Sequence, residues 1–212
     1  MKYKTVIFDV DSTLVTIEGM VELAKMKGLD QGVSKITEQG MNGEISFSKS
    51  FTSRIDLVKP SLKDLDWLGD YYYQQLTPGA KETIEVLKKQ DVRIVLISGS
   101  FQRSLDVLGK KLGLQGNDIF GVELIHSRNG KYESIDDGQL LVNDFGKLRL
   151  LETLKLPHPI LMVGDGITDL ECQKAVDYFV GFGGVVERTV VRNSADAFLT
   201  DKNLQHVLQY VQ

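Results

Sequence analysis

Two aspartates follow the first apolar run of the chain, in the segment TVIFDVDSTL, and a single residue separates them. In an extended segment, residues i and i+2 project to the same side, so Asp9 and Asp11 can face one cavity. Two carboxylates at such a short distance repel each other, which favours a shared proton or a bound cation. Asp165, after a later apolar run, is a third candidate ligand. Ligands that are all oxygen, with no histidine or thiol nearby, favour Mg²⁺ over Zn²⁺.

Each of these acids also has an ordinary interpretation. Asp9 and Asp11 can simply end a strand, and Asp165 can simply belong to a Gly-Asp-Gly turn. Because all three follow predicted strands, a joint acidic site is the favoured hypothesis.

A second polar segment, LISGSFQRSLDVL, runs from an apolar strand directly into an amphipathic helix. Ser98, Gly99 and Ser100 offer hydroxyl and backbone N–H donors at the predicted helix N-terminus, where an anion such as phosphate is favoured. The same residues are common in a plain capping turn. Lys147, in NDFGKLRLLETL, could bring a positive charge to that phosphate, although a lone lysine on a helix is usually solvated.

The elements that must position these residues are short apolar runs separated by amphipathic segments. The runs are KTVIFDV, VRIVLISGS (92–100), PILMVGDG (159–166) and DYFVGFGG (177–184). Continuous apolar runs joined by helical patterns predict parallel strands that are buried on both faces. We therefore predict an α/β fold with a doubly wound, Rossmann-like parallel sheet, in which ligands bind beyond the carboxyl ends of the strands.

Residues 15–76 are too long for a simple connection between the first two strands. They contain four helical patterns separated by Pro60 and several glycines. We interpret them as a small helical cap domain inserted into a core formed by residues 1–14 and 77–212. A smaller hairpin excursion is predicted near 122–142, because Asn129-Gly130 is flanked by alternating apolar and polar residues.

Composition narrows the possible partners and surroundings. The chain has 212 residues and a formal net charge of -4, with no long block of one sign. This charge gives no argument for binding nucleic acid or an anionic membrane surface. The single cysteine, Cys172, excludes an internal disulfide. With no signal peptide or apolar stretch of membrane-spanning length, we expect a cytoplasmic protein that is a monomer or a homodimer.

Four short motifs, in order, resemble those of the haloacid-dehalogenase-like phosphatases, and within them the phosphoserine phosphatases. The motifs are DVDSTL, LISGS, Lys147 and GDGITD (164–169). The segments MNGEISFSKSFTSRIDLVKPS, LTPGAKE and VGFGGVVER extend the similarity over nearly the whole chain. A single such motif can arise by chance, whereas four in the right order are a strong signal.

The resemblance implies a Mg²⁺-dependent hydrolysis of O-phospho-L-serine to serine and phosphate. It implies that Asp9 is the nucleophile that becomes an aspartyl-phosphate, and that Asp11 is the general acid and then the general base. It assigns the metal to Asp9, the backbone carbonyl of Asp11, and Asp165.

The resemblance also implies roles for residues around the phosphoryl group. Ser98, Gly99 and Lys147 would bind the phosphoryl oxygens. Asp169 would orient Lys147 or a metal-bound water, and Thr168 would be a nearby substrate contact.

Three residues of the predicted cap resemble the residues that select the substrate. Glu18 resembles an ammonium-binding glutamate, Arg54 an arginine that pairs with a carboxylate, and Met41 an apolar residue that closes the pocket. For Glu18 and Arg54 the alternative is a solvated helix face, and for Met41 it is ordinary packing.

Other functions remain open at this stage. A phosphotransferase to another amino alcohol, or a phosphatase for a different small phosphomonoester, would use the same aspartyl-phosphate. A catalytically silent phosphate-binding regulatory protein could share the fold. The second motif departs from the common Ser-Gly-Gly-Phe because Ser100 replaces a glycine, and a shifted phosphate loop would follow if that position required a glycine conformation.

Overall fold

The computed structural model describes residues 3–114 and 116–211. Its strands are β1 (Thr5–Phe8), β2 (Arg93–Phe101), β3 (Ile119–Val122), β4 (Leu124–His126), β5 (Tyr132–Ile135), β6 (Ile160–Gly164), β7 (Tyr178–Phe182) and β8 (Ala197–Leu199). Its helices are α1 (Gly19–Lys25), α2 (Asp30–Met41), α3 (Phe47–Val58), α4 (Leu62–Gln74), α5 (Ala80–Lys89), α6 (Gln102–Leu112), α7 (Gly146–Thr153), α8 (Ile167–Leu170), α9 (Thr189–Ser194) and α10 (Leu208–Val211).

Six strands form one parallel sheet in the order β3-β2-β1-β6-β7-β8. Every residue of the two central strands, β1 and β6, is buried, because helices cover both faces of the sheet. The chain reverses its direction of travel across the sheet between β1 and β6, and ligands of open α/β sheets bind at such a point. The predicted α/β fold with a doubly wound sheet is confirmed.

Four helices, α1 to α4, follow β1 before the chain returns to the sheet through α5. Local sequence explains where two of them begin. The Ser46 hydroxyl accepts a hydrogen bond from the Lys49 N–H at the start of α3, and Ser61 and Asp64 form a capping box at the start of α4. We call residues 19–74 the helical segment. α2 and α3 pack against each other, and α4 packs on α6 of the sheet layer.

Two strands of the sheet, β3 and β8, were not predicted from the sequence. Both lie at the edges of the sheet and are short, with the sequences IFGV and AFL. Such short runs carry too few residues to show a period. The hairpin formed by β4 and β5 turns at Asn129-Gly130 as predicted, and Gly130 has a φ of 79°. No helix within the described ranges is long and apolar enough to cross a membrane.

Candidate active site

Three buried aspartates meet at the carboxyl ends of the two central strands. Asp9 follows β1, whereas Asp165 and Asp169 follow β6. One carboxylate oxygen from each lies within 4.8 Å of the others. These oxygen-only donors fit a hard divalent cation such as Mg²⁺. The group contains Asp9 and Asp165, for which metal binding stays a prediction, and it adds Asp169, for which the resemblance implied only a supporting role.

Lys147 supplies the positive charge beside these acids. Its Nζ lies 2.6 Å from Asp9 Oδ1 and 2.7 Å from Asp169 Oδ1, and the lysine is buried. Burial lowers the pKa of Lys147, but the two carboxylates more than offset this effect and hold the pKa above its usual value. Lys147 is therefore a fixed positive charge and not the solvated helix lysine of the alternative interpretation.

Burial also raises the pKa of Asp9 well above its usual value, and repulsion from Asp169 adds to the rise. The ammonium of Lys147 opposes both effects. An ionised Asp9, which is the form that can act as a nucleophile, therefore depends on positive charge held next to it.

The second carboxylate oxygen of Asp169, Oδ2, is held by the backbone. It accepts a hydrogen bond from the Gly166 N–H at 3.0 Å. Gly164 makes room for this carboxylate. A Cβ atom at position 164 would lie 2.3 Å from Asp169 Cγ, which no side chain tolerates. Gly164 thus lets Asp169 pack against the end of β6.

Asp11 lies beyond β1 in an irregular turn over Val10–Leu14, in which Ser12 has a φ of 54°. Its carboxylate accepts a hydrogen bond from the Tyr72 hydroxyl at 2.5 Å, and a backbone hydrogen bond from Gly19 also reaches it. Burial raises the pKa of Asp11 to about 7, although the Tyr72 hydrogen bond opposes the rise. Its side chain lies outside the group of Asp9, Asp165 and Asp169, so a contribution to the metal through the Asp11 backbone carbonyl stays a prediction.

Asp165 is held by two donors that the sequence did not assign. Thr13 Oγ1 donates to Asp165 Oδ1 at 3.2 Å, and Arg188 Nε donates to Asp165 Oδ2 at 2.9 Å. Burial raises the pKa of Asp165 to about 7, and Arg188 opposes the rise. Arg188 Nη2 also lies 3.8 Å from Glu18 Oε1, so this buried arginine links the predicted metal site to the predicted substrate site.

A cavity of about 40 Å³ lies in front of these acids, between the sheet and the helical segment. Its lining contains both predicted groups of residues, the catalytic and the substrate-binding: Asp9, Asp11, Glu18, Met41, Arg54, Ser98, Gly99, Lys147 and Thr168. Phe47 and Ser100 complete the lining. A volume of this size holds a few water molecules. All the residues predicted for catalysis and substrate binding therefore meet at one cavity.

The two charged residues predicted to select the substrate are both held in place. Ser12 Oγ donates to Glu18 Oε1 at 2.6 Å, and burial raises the pKa of Glu18 to about 7. Arg54 is 8% exposed, and it donates through Nε to the Ser50 carbonyl and through Nη1 to Thr37 Oγ1. Neither residue lies on a solvated helix face, which removes the ordinary interpretation for both.

We expect the pKa of Glu18 to make the stability of the metal-free protein depend on pH. The folded state holds this proton up to about pH 7, whereas a carboxyl in the unfolded chain releases it near its ordinary value of 4.5. The stabilisation is complete below pH 4.5 and is lost as the pH rises through 7, by roughly 3 kcal/mol. Glu18→Gln should therefore reduce the fall in unfolding free energy between about pH 5 and pH 8.

Urea unfolding in the presence of EDTA measures this effect. The matched control is Glu38→Gln, at an exposed position of α2, which should keep the wild-type dependence on pH. If the unfolding free energy of Glu18→Gln fell with pH as steeply as that of the wild type, the prediction would be contradicted.

The second motif enters the cavity from the end of β2. Ser98 Oγ accepts a hydrogen bond from the Ser100 N–H at 3.1 Å, and Gly99 packs against the ring of Phe47, which a Cβ atom would approach within 2.8 Å. Ser100 lies inside β2, and its φ is not positive. The position does not require a glycine conformation, so the expected shift of the phosphate loop has no basis in the backbone.

Tyr72 and Arg188 were missed by sequence reasoning. Tyr72 is fully buried, and its hydroxyl reaches Asp11 across 61 positions of sequence. Arg188 is 7% exposed and reaches Asp165 across 23 positions. The only sequence signal for Arg188 was its place in VGFGGVVER. Tyr72 is one of three consecutive tyrosines, and the sequence does not distinguish it from the other two.

Comparison with known proteins identifies the family of this chain. A family model for haloacid dehalogenase-like hydrolases matches residues 3–177. The phosphoserine phosphatase of Bos taurus is 37% identical over 199 residues, which cover 92% of this chain and 88% of that protein. The phosphoserine phosphatase of Methanocaldococcus jannaschii is 30% identical over 219 residues, which cover 100% and 99% of the two chains.

Solved structures are similar over the full length. A phospho-aspartyl intermediate analogue of phosphoserine phosphatase has a TM-score of 0.85 and 28% identity, and a substrate-bound phosphoserine phosphatase complex has a TM-score of 0.85 and 27% identity. Each covers 100% of this chain and is itself covered completely. The chain therefore belongs to the phosphoserine phosphatase family of the haloacid dehalogenase-like hydrolases, and it is a phosphatase.

Proposed function

We propose that this phosphatase hydrolyses O-phospho-L-serine to L-serine and phosphate, with Mg²⁺ as its cofactor and an aspartyl-phosphate on Asp9 as its intermediate. The observation that carries the proposal is the cavity in which Asp9, Asp11 and Lys147 lie beside Glu18 and Arg54. Phosphoserine carries a phosphate, an ammonium and a carboxylate. The cavity lining offers a partner of opposite charge for each of these groups.

Asp9 performs the first step, in which a carboxylate oxygen attacks phosphorus and the bond to the serine oxygen breaks. Lys147 lies next to Asp9, where its charge keeps the nucleophile ionised and attracts the phosphoryl oxygens. Ser98 and Gly99 line the same cavity and bind those oxygens through hydroxyl and N–H donors.

Asp11 moves the proton in both steps. In the first it protonates the departing serine oxygen, and in the second it takes a proton from the water that attacks the aspartyl-phosphate. A pKa of about 7 suits this exchange, because a group that alternates between acid and base works best when its pKa lies near the working pH.

The residues that would hold Mg²⁺ are Asp9, Asp165 and Asp169. The resemblance adds the backbone carbonyl of Asp11. When bound, the ion supplies positive charge that offsets the repulsion between these carboxylates and a dianionic phosphate. Arg188 and Thr13 orient Asp165 for that role.

Selection of the substrate is assigned to residues in and next to the helical segment. Glu18, just before this segment, pairs with the substrate ammonium, and Arg54 within it pairs with the carboxylate. Met41 of the helical segment and Thr168 of α8 close the remaining wall. The small cavity implies that the helical segment moves away from the sheet to admit the ester and to release serine. Release of free serine also makes the reaction suitable as a step of serine biosynthesis.

The test is phosphate release from L-phosphoserine and from a panel of small phosphomonoesters, with Mg²⁺ or with EDTA. The expected result is a Mg²⁺-dependent preference for L-phosphoserine. Faster cleavage of another ester, or transfer of phosphate to an added amino alcohol in place of water, would reassign the substrate or the acceptor. No cleavage by folded, Mg²⁺-loaded protein would favour a phosphate-binding protein.

Arg54→Met should separate recognition of the carboxylate from catalysis. We expect kcat/KM for L-phosphoserine to fall roughly 30- to 300-fold, because a charge-assisted pair with the carboxylate is lost. O-phosphoethanolamine lacks that carboxylate, so its kcat/KM should change by less than about fivefold. The matched control is Arg103→Met, at an exposed arginine paired with Asp66. Equal losses on both esters would contradict the assigned role.

A further inference from the structure

Tyr72 connects the helical segment to the proposed proton-transfer residue. It lies on α4 and is fully buried, and its hydroxyl donates to Asp11 Oδ1 at 2.5 Å. The same hydroxyl lies 2.7 Å from the Ser100 Oγ. A tyrosine of the helical segment therefore contacts the Asp11 carboxyl group directly, and a serine of β2 contacts that tyrosine.

The direction of these hydrogen bonds follows from the number of protons. A phenol has a single proton to donate, and Tyr72 gives it to Asp11. The Ser100 hydroxyl must then be the donor to the Tyr72 oxygen. Burial raises the pKa of Tyr72 well above its usual value, so the phenol stays protonated. The chain of donors runs from Ser100 through Tyr72 to Asp11, and such aligned hydrogen bonds strengthen one another.

The surrounding residues are shaped for this contact. A Cβ atom at position 19 would lie 1.9 Å from the Tyr72 hydroxyl oxygen, so only glycine leaves room for the phenol. A backbone hydrogen bond from Gly19 reaches the Asp11 carboxylate as well. Donors from two different elements thus restrict the rotation of one carboxyl group.

We propose that Tyr72 and Ser100 are positioning residues that hold the Asp11 carboxyl group in the orientation that delivers its proton to the departing serine oxygen. The proposal rests on the proposed function, in which Asp11 is the general acid. As the bond between phosphorus and the serine oxygen breaks, its electron pair stays on that oxygen and the Asp11 proton joins it. The resulting Asp11 carboxylate is stabilised by the Tyr72 O–H, because hydrogen bonds to a charged acceptor are the stronger ones.

This role also gives a reason for Ser100. A glycine at this position has no hydroxyl, and the Tyr72 oxygen would lose the donor that it has in this chain. In this chain, Ser100 therefore gives the Tyr72 oxygen a hydrogen-bond donor that glycine could not supply.

The test compares two esters in single turnovers with enzyme in excess, so that even slow cleavage is measured. L-phosphoserine releases an alkoxide that needs a proton, whereas p-nitrophenyl phosphate releases a phenolate that does not. In Tyr72→Phe, we expect cleavage of phosphoserine to slow roughly 10- to 100-fold, while cleavage of p-nitrophenyl phosphate slows less than about threefold. The enzyme concentration that gives half the maximal rate should stay within about twofold of the wild type. Ser100→Ala should show the same pattern with a smaller loss.

Two further variants complete the design. Tyr71→Phe removes a hydroxyl from the neighbouring position of α4, whose ring stacks on Trp67, and should match the wild type on both esters. Asp11→Asn should show a larger version of the Tyr72→Phe pattern.

Wild-type rates in Tyr72→Phe, or equal losses on both esters, would overturn the positioning role. If Asp11→Asn itself slows both esters equally, the general-acid assignment of the proposed function fails instead. The two failures are therefore distinguishable.

Discussion

Asp9→Asn is expected to abolish phosphate release, with a fall in kcat of at least about 10³-fold, because an amide is a poor nucleophile at phosphorus. The fold should survive the change. Burial and the nearby Asp169 make a charge on Asp9 costly, and in the variant Lys147 keeps its contact with Asp169. We therefore expect an unfolding midpoint no lower than that of the wild type, measured by urea denaturation beside the phosphate assay.

The matched control is Asp91→Asn. Asp91 is exposed and has a φ of 57°, a conformation that asparagine accepts readily, so activity and stability should both be unchanged. Turnover of Asp9→Asn near the wild-type rate would show that Asp9 is not the nucleophile.

Lys147→Met is expected to damage both activity and stability. The substitution leaves Asp9 and Asp169 buried without their cation, and breaking a buried pair in this way typically costs about 3–5 kcal/mol. The loss should be largest near pH 8 and smaller near pH 5, because Asp9, whose pKa is raised by burial, can take up a proton at low pH. We expect kcat to fall about 10²- to 10³-fold as well, since a fixed charge beside the phosphoryl group is removed.

Urea denaturation at both pH values, in the presence of EDTA, measures the stability effect. Lys155→Met, at an exposed lysine just beyond α7, is the control and should change little. An equal loss of stability at both pH values would mean that Lys147 acts through packing and not through its charge.

The acids of the first and fourth motifs were predictable because they follow strands, whereas the role of Lys147, which lies on α7, came from the resemblance. Asp9 and Asp165 end the apolar runs that become β1 and β6, and parallel strands bring their carboxyl ends to one edge. The sequence alone therefore brought the acids and the phosphate-binding segment together. The roles of Glu18 and Arg54 came from the resemblance, and the structure adds that both line the cavity.

Tyr72 and Arg188 could not be predicted in the same way. The contact of Tyr72 with Asp11 depends on how α4 packs above the sheet, and no local period in YYY shows which ring turns inward. Arg188 precedes a short helix, where a solvated arginine is the usual expectation. Side chains that act across the interface between two layers are set by tertiary packing, which a linear pattern does not contain.

The central claim is that an aspartyl-phosphate forms on Asp9. It is tested most directly by a rapid-quench single turnover of Mg²⁺-loaded enzyme with L-phosphoserine that is radiolabelled in its phosphoryl group. We expect labelled protein to form before free phosphate and then decay, with the label on the peptide that contains Asp9. Phosphate that appears without labelled protein, or a label on another residue, would contradict the account.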